Sequence, residues 1–194
     1  MRIGITLNEV MRDFIGQFAY TYSKYKKKDI DLKAKPITNW DLLKYFDFNS
    51  MDELNHFLHT EASLEVFGHA DQLHENVVTK FNSFVINIMD GEEHEVILIS
   101  REGGRSIPAT LFFLSKLGFS GNNIQFVTDY KKKWDDVDVL ITANPTALAA
   151  KPDGKISIKI KTTYNKDVKA DYEFDSIIPL FDDEEILEKI LNND

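Results

Sequence analysis

The stretch Ile3-Gly4-Ile5-Thr6-Leu7-Asn8-Glu9-Val10 is a short apolar run that ends in two small polar residues, Thr6 and Asn8, spaced i, i+2. A continuous run of this length reads as a strand buried on both faces. A helical pattern follows at once: Val10, Phe14, Phe18 and Tyr22 recur at helical spacing, with Ile15 and Tyr25 beside that face. Strand then helix is the opening of an α/β unit. The polar residues at the strand's carboxyl end lie where open α/β sheets place their ligand crevice.

Further along, Lys24 to Lys28 form a basic run and residues 29–36 read as extended, ending at Pro36. Thr38 can cap a helix carrying Trp40, Leu42, Leu43, Tyr45 and Phe46. Ser50 opens another through Met51, Leu54, Phe57 and Leu58, with Asp52 and Glu53 in its first turn, where acids suit the helix dipole. Residues 61–89 read as helix with a break near Gly68. At Glu95 the pattern changes. Val96-Ile97-Leu98-Ile99 ends at Ser100 and reads as a central parallel strand. A helix from Ala109 to Leu117 stops at Gly118. Ile124 to Val127 and Val137 to Ile141 are two more strands, the latter leading to Thr142-Ala143-Asn144-Pro145. Ile156 to Lys161 alternates with period two and reads as an edge strand. Glu173 to Leu180 is extended, and Asp183 to Leu191 is an amphipathic helix. Strands alternating with helices imply right-handed crossovers and a parallel sheet.

A chain of 194 residues with 14 Phe and 7 Tyr can bury a substantial core. The net charge of -9 argues against a broad nucleic-acid surface, which needs basic residues to displace counterions. Zero cysteines exclude disulfides, thiolate-bound zinc and thiol nucleophiles. No apolar stretch approaches membrane-spanning length and no apolar signal core opens the chain, so a cytoplasmic protein, or one packed into a virion assembled there, is expected.

Taken together, these pieces resemble the haloacid dehalogenase (HAD) superfamily. Motif I there is a hydrophobic strand ending in Asp-x-Asp, where the first Asp attacks the substrate and the second acts as acid and base. Thr6 and Asn8 hold those positions here. Ser100 matches the motif II hydroxyl that binds phosphate. Lys131, after Val127-Thr128-Asp129-Tyr130, is the best match to the motif III lysine, with Lys132 and Lys133 as alternatives. Leu140 to Pro145 resembles motif IV of the deoxynucleotidase-like branch, with Thr142 and Ala143 in place of its metal-binding acids. The resemblance implies a HAD-like (Rossmannoid) core from residues 1–12 plus 95–194 and a helical cap inserted at 13–94. It also implies a vestigial phosphate site of Thr6, Asn8, Ser100, Lys131, Thr142 and Asn144, converging at the ends of adjacent strands. HAD chemistry needs an Asp nucleophile and Mg²⁺ held by carboxylates, and all four acids are replaced. No catalytic residue, metal or cofactor is therefore expected, with Mg²⁺ entering only if a rearranged phosphatase site survives.

Other signals have plain readings beside functional ones. Gly103-Gly104-Arg105 is an anion cradle or simply a turn. His56, His59, His69 and His74 lack the carboxylate pattern of a metal site. Glu9 and Asp13 suit a helix surface. The expected function is a catalytically inactive HAD-like module serving as a structural or protein–protein interaction subunit, a homo-oligomer or part of a larger assembly. A further resemblance, to degenerate HAD-like proteins of crAss-like tailed phages, implies a head–tail ring or connector. The alternatives are a HAD phosphatase or 5'-nucleotidase and a non-hydrolysing phosphate or nucleotide binder. The aromatic area of Phe14, Phe18, Trp40, Phe46, Phe57 and Phe67 exceeds the needs of a cap core, so some of it is expected to face outward. Asp182 to Glu185 is expected to meet Lys26 to Lys28 of a neighbouring copy.

Overall fold

The computed structural model describes residues 1–90 and 94–192; residues 91–93, within the expected insertion, and 193–194, within the expected core, lie outside it. Six strands form one parallel sheet: β1 (Arg2–Thr6), β2 (Glu95–Arg101), β3 (Ile124–Val127), β4 (Val139–Thr142), β5 (Ile156–Ile160) and β6 (Tyr172–Phe174). Their spatial order is β3-β2-β1-β4-β5-β6. The opening stretch is thus the sheet's interior, with Ile5 beside Leu98 on one side and Ile141 on the other. Gly4 makes room for its neighbours there: a Cβ would stand 2.9 Å from Ile99 Cδ1 and from Val137 Cγ1, and these methyls would have to shift.

Ile3, Ile5, Leu98, Val139, Ile141 and Ile158 belong to one core with the helices α3 (Val77–Asp90), α6 (Ile178–Asp182) and α7 (Glu184–Asn192) and with Phe113 and Leu114 of α4 (Ser106–Lys116). Ile97, Ile99, Val127, Leu140 and Trp134 form a thinner core with Ala147 of α5 (Pro145–Ala149). A third core belongs to the helical segment before α3. It joins α1 (Phe14–Lys26), α2 (Met51–His56) and the π-helical turns Phe57–Glu61 and Leu64–Gly68 around Phe14, Phe18, Tyr22, Phe46, Phe48, Phe57 and Phe67. The Phe18 ring is tilted against Phe46, their centroids 4.2 Å apart, and packs against Phe48 and Phe57.

Several local readings change. The first helix begins at Phe14, four residues later than its apolar spacing implied. Leu7 O accepts from Met11 N and Arg12 N, and Glu9 adopts a left-handed conformation (φ 59°), so residues 7–12 form a compact turn. Val10 and Met11 are packed with the sheet, and Asp13 caps α1 through Gly16 N at 2.8 Å. Helix α3, placed by sequence inside the insertion, packs on the sheet through Val77, Val78, Phe81, Phe84 and Val85. Strand β5 is internal rather than an edge. Its polar face is covered, with Ser157 bonded to Asp171 and Lys159 to Val168 O and Glu173, and β6 takes the edge. The cap aromatics do not turn outward: Phe14, Phe18, Phe46, Phe57 and Phe67 are buried and Trp40 is half-buried. The exposed large residues are others, among them Tyr20, Leu64, Leu111 and Phe112. Three of the charges expected to join two copies also pair within the chain: Lys26 with Glu53, Lys28 with Asp47, and Asp182 with Lys80. No helix among the described residues is long and apolar enough to cross a membrane.

Candidate functional site

The carboxyl ends of β1, β2 and β4 meet beneath the aromatic segment. Thr6 ends β1, Ser100 lies near the end of β2, and Thr142 ends β4, with Asn144 two residues on. Thr6 Oγ1 donates to Thr142 Oγ1 at 3.0 Å. Asn144 caps α5, its Oδ1 accepting from Ala147 N at 2.8 Å, and Thr142 Oγ1 accepts from Asn144 N. These buried side chains are held by strand ends and by one another.

Asn8 is bound differently. Its Oδ1 accepts from Arg12 Nε at 2.8 Å and Nη2 at 2.6 Å. Arg12 is fully buried. Its guanidinium also reaches Glu102 Oε1, Thr110 Oγ1 and Phe67 O, between the rings of Phe67 and Phe113. Ser100 Oγ and Thr110 Oγ1 both donate to Glu102. Every acceptor and donor of this cluster that counts for charge is paired, as a buried ion pair demands. Burial pulls the Arg12 pKa down, and Glu102 opposes that.

The lysine that reaches the site is Lys133. A 3₁₀ turn, Lys131–Trp134, begins where Asp129 Oδ1 accepts from Lys131 N. Lys131 and Lys132 point to solvent, whereas Lys133 and Trp134 are buried. Lys131, the expected match, is therefore not among the residues lining the crevice. The reason is local: a tight turn in Lys-Lys-Lys-Trp sends successive side chains in different directions, and Trp134 anchors it through Nε1 to Ala147 O. Burial first, and Arg101 second, push the Lys133 amine down to about 7. Its nearest compensation is the Tyr130 ring, 5.3 Å from Nζ.

Between this floor and the cap core lies a cavity of about 180 Å³. Asn8, Ser100, Lys133 and Asn144 line its floor; Phe14, Trp40, Leu54, Leu58, Phe67 and Tyr164 are among its walls. His59, at its side, stacks on Phe67, bonds Ser106 Oγ through Nδ1, and is pushed by burial to about 4. Gly103 and Gly104 form a turn: Ser106 N donates to Gly103 O, and Arg105 N to His59 O. Glu9 lies off any helix. Its carboxylate accepts from Ile15 N at 2.8 Å, and desolvation raises its pKa to about 7.

Sequence reading missed Arg12 and Glu102. Arg12 had been absorbed into the helical pattern, and Glu102 follows Ser100 in a loop. An acid and a base flanking two motif ends were the available signal.

The donor set does not fit Mg²⁺. Thr6, Asn8 and Thr142 offer neutral oxygens, Asn8 Oδ1 is occupied by a cation, and Ala143 offers none. Hard divalent cations need several carboxylate or carbonyl oxygens. Among the described residues no three His, Asp or Glu side chains gather as metal ligands.

The fold is HAD-like. A haloacid dehalogenase-like hydrolase from Burkholderia xenovorans LB400 superposes with a TM-score of 0.62 at 11% identity, over 96% of this chain and 97% of that one. The magnesium-bound HAD-hydrolase YfnB from Bacillus subtilis gives 0.61 at 12%, over 96% and 98%. A HAD-like family hydrolase from Xanthomonas campestris gives 0.57 at 12%, over 100% and 98%. No protein-family model and no curated protein matches the sequence. Identities this low carry the fold alone.

Proposed function

We propose that this protein is a non-hydrolysing HAD-like module, one that binds at the old catalytic mouth without transferring phosphoryl groups. One observation carries the reading: Asn8, at the acid/base position, is held by the buried Arg12 guanidinium, itself paired with Glu102. At the nucleophile position, Thr6 donates its proton to Thr142. A neutral hydroxyl without an adjacent base is a weak nucleophile. The test is a panel of para-nitrophenyl phosphate and nucleotides with Mg²⁺, where no turnover is expected. Turnover that copurifies with the protein and is lost in Thr6→Ala overturns the reading.

The cap boundary follows packing in this proposal. The cap is the segment from Phe14 to Gly68, and α3 belongs to the α/β core.

A second reading, an assembly subunit such as a virion ring component, is favoured by an apolar face. Leu64 and Phe112 converge over Gly68 and both are exposed, with Leu111 beside them. The occupant in this reading is a second copy of the chain. Native mass spectrometry should then show an oligomer that Leu64→Ser with Phe112→Ser dissociates; a strict monomer at every concentration removes the reading.

A further inference from the structure

Buried polar groups are almost always hydrogen-bonded, and each exception asks what completes it. Two of the exceptions line the same cavity. Asn144 Oδ1 is used by Ala147 N, which fixes the amide's orientation and leaves Nδ2 as the free, buried donor. Tyr164 is the second: its hydroxyl lies near that of Thr162, yet neither makes a hydrogen bond of ordinary geometry. Lys133 lines the cavity beside them, 5% exposed, with its Nζ 5.3 Å from the Tyr130 ring and no carboxylate paired to it among the described residues.

We propose that this cavity is a binding site for a small organic carboxylate with a flat apolar body, its head on Lys133 Nζ and Asn144 Nδ2 and its body beneath the cap aromatics. The proposal deepens the non-hydrolysing reading and rests on it. The free groups are donors, so the missing partner is an acceptor. Among the described residues Arg12 is neutralised by Glu102, and Arg101 keeps its charge but is only half-buried, lying over Tyr130 with its Nε on Thr128 O; Lys133 is the buried cation without a carboxylate. A monoanion balances that buried charge, whereas the second charge of a phosphate dianion would need Arg101 turned inward to balance it. The walls include Phe14, Trp40, Leu54, Leu58 and Phe67, which give a flat ring apolar contact, with Asp41 and Asn55 as polar members of the lining.

Binding is coupled to protonation. The free amine titrates near 7, lowered by burial and Arg101 and raised by Glu102; Asp41, His59, Tyr130 and Tyr164 are the other titratable groups lining the cavity. A bound carboxylate stabilises the ammonium, so complex formation at about pH 8 takes up a proton.

The experiment is calorimetry at about pH 8 in two buffers of different ionisation enthalpy. The probes are phenylacetate, indole-3-acetate, phenylacetamide, phenyl phosphate and inorganic phosphate. The two acids should bind with proton uptake, the neutral amide about tenfold or more weakly, since a hydrogen bond to a charged group is lost. Lys133→Met should abolish the proton uptake and weaken both acids about tenfold or more. It removes a buried charge, so it should fold. Tyr164→Phe, with only a hydroxyl removed, should weaken them less. Failure of both acids to bind at millimolar concentration, equal binding by the amide, or an unaltered Lys133→Met overturns the proposal. Tightest binding by either phosphate overturns the carboxylate assignment but leaves the non-hydrolysing reading standing, and turnover of phenyl phosphate overturns that reading itself.

Discussion

Two buried cations lie at the same end of the sheet, and they are built in opposite ways. Arg12 has a carboxylate, an amide oxygen, a hydroxyl and a backbone carbonyl within hydrogen-bond reach and an aromatic ring on each side. Lys133 has one aromatic ring and no carboxylate paired to it among the described residues. Burial lowers both pKa values, but Glu102 bonds Arg12 directly and only acts at a distance on Lys133. Arg12 is a structural cation that holds β1, the cap and α4 together. Lys133 is a buried charge compensated only by the Tyr130 ring and, at a distance, by Glu102.

The sharpest way to break this comparison is Arg12→Met. It strands Glu102 as a buried carboxylate, and a loss of about 3–5 kcal/mol is expected in urea unfolding. A loss under about 1 kcal/mol would show that the pair contributes nothing beyond packing. Lys133→Met should move stability the other way. The folded amine titrates near 7, below its ordinary value of 10.5. The unfolded chain therefore binds the extra proton between those values, and stability rises with pH across that window. Below pH 7 both states are protonated and the full cost of burying the charge is present. Lys133→Met should thus stabilise most at and below neutrality, by on the order of a few kcal/mol, with the gain fading toward the alkaline limit.

Glu9 has the reverse sign and a smaller expected effect. Its folded value of about 7 lies above the ordinary 4.5, so the stability it contributes is present in acid and is lost as pH rises through 7. His59, held near 4 by burial and ordinarily at 6.5, has the opposite sign: its contribution rises with pH between those values and offsets Glu9 there. Glu9→Gln should therefore leave a stability that rises with pH across that range, which thermal melts across pH would reveal. The smallest effect belongs to Thr6→Val, which removes a single buried hydroxyl bond at 3.0 Å. A loss of about 1 kcal/mol is expected. A much larger value would give the Thr6–Thr142 contact a share in holding the mouth together.

The sequence carried the sheet well, because period and length both constrain short apolar runs. β1, β2, β3 and β4 are where their runs lie, and Thr6, Ser100, Thr142 and Asn144 stand near their carboxyl ends. It carried less of what depends on a partner. The face Val77, Phe81, Phe84 reads as helix whether it meets a cap or a sheet, so periodicity could not assign α3. The three consecutive lysines are chemically identical, and only the tight turn anchored by Trp134 selects Lys133. Arg12 was hidden because its partners, Glu102 and Thr110, are 90 and 98 residues away. The cap aromatics were read as surplus because the core they form with Phe48 and Tyr22 could not be sized from the sequence.

The central position of β1 has a consequence for how the chain reaches this state. Its pairing with β2 spans a separation of 93 residues at Arg2 and Glu95, and its contact with β4 spans 136 at Thr6 and Thr142. Closing such long loops carries an entropy cost that precedes any gain from pairing. During synthesis β1 leaves the ribosome ahead of both neighbours, with the edges of Ile3 and Ile5 unclaimed. The helical segment, most of whose aromatic contacts lie within residues 14–67, can assemble meanwhile. The earliest strand of this sheet is then among the last to find its place, and its bare edges in that interval are where misassembly with another copy would begin.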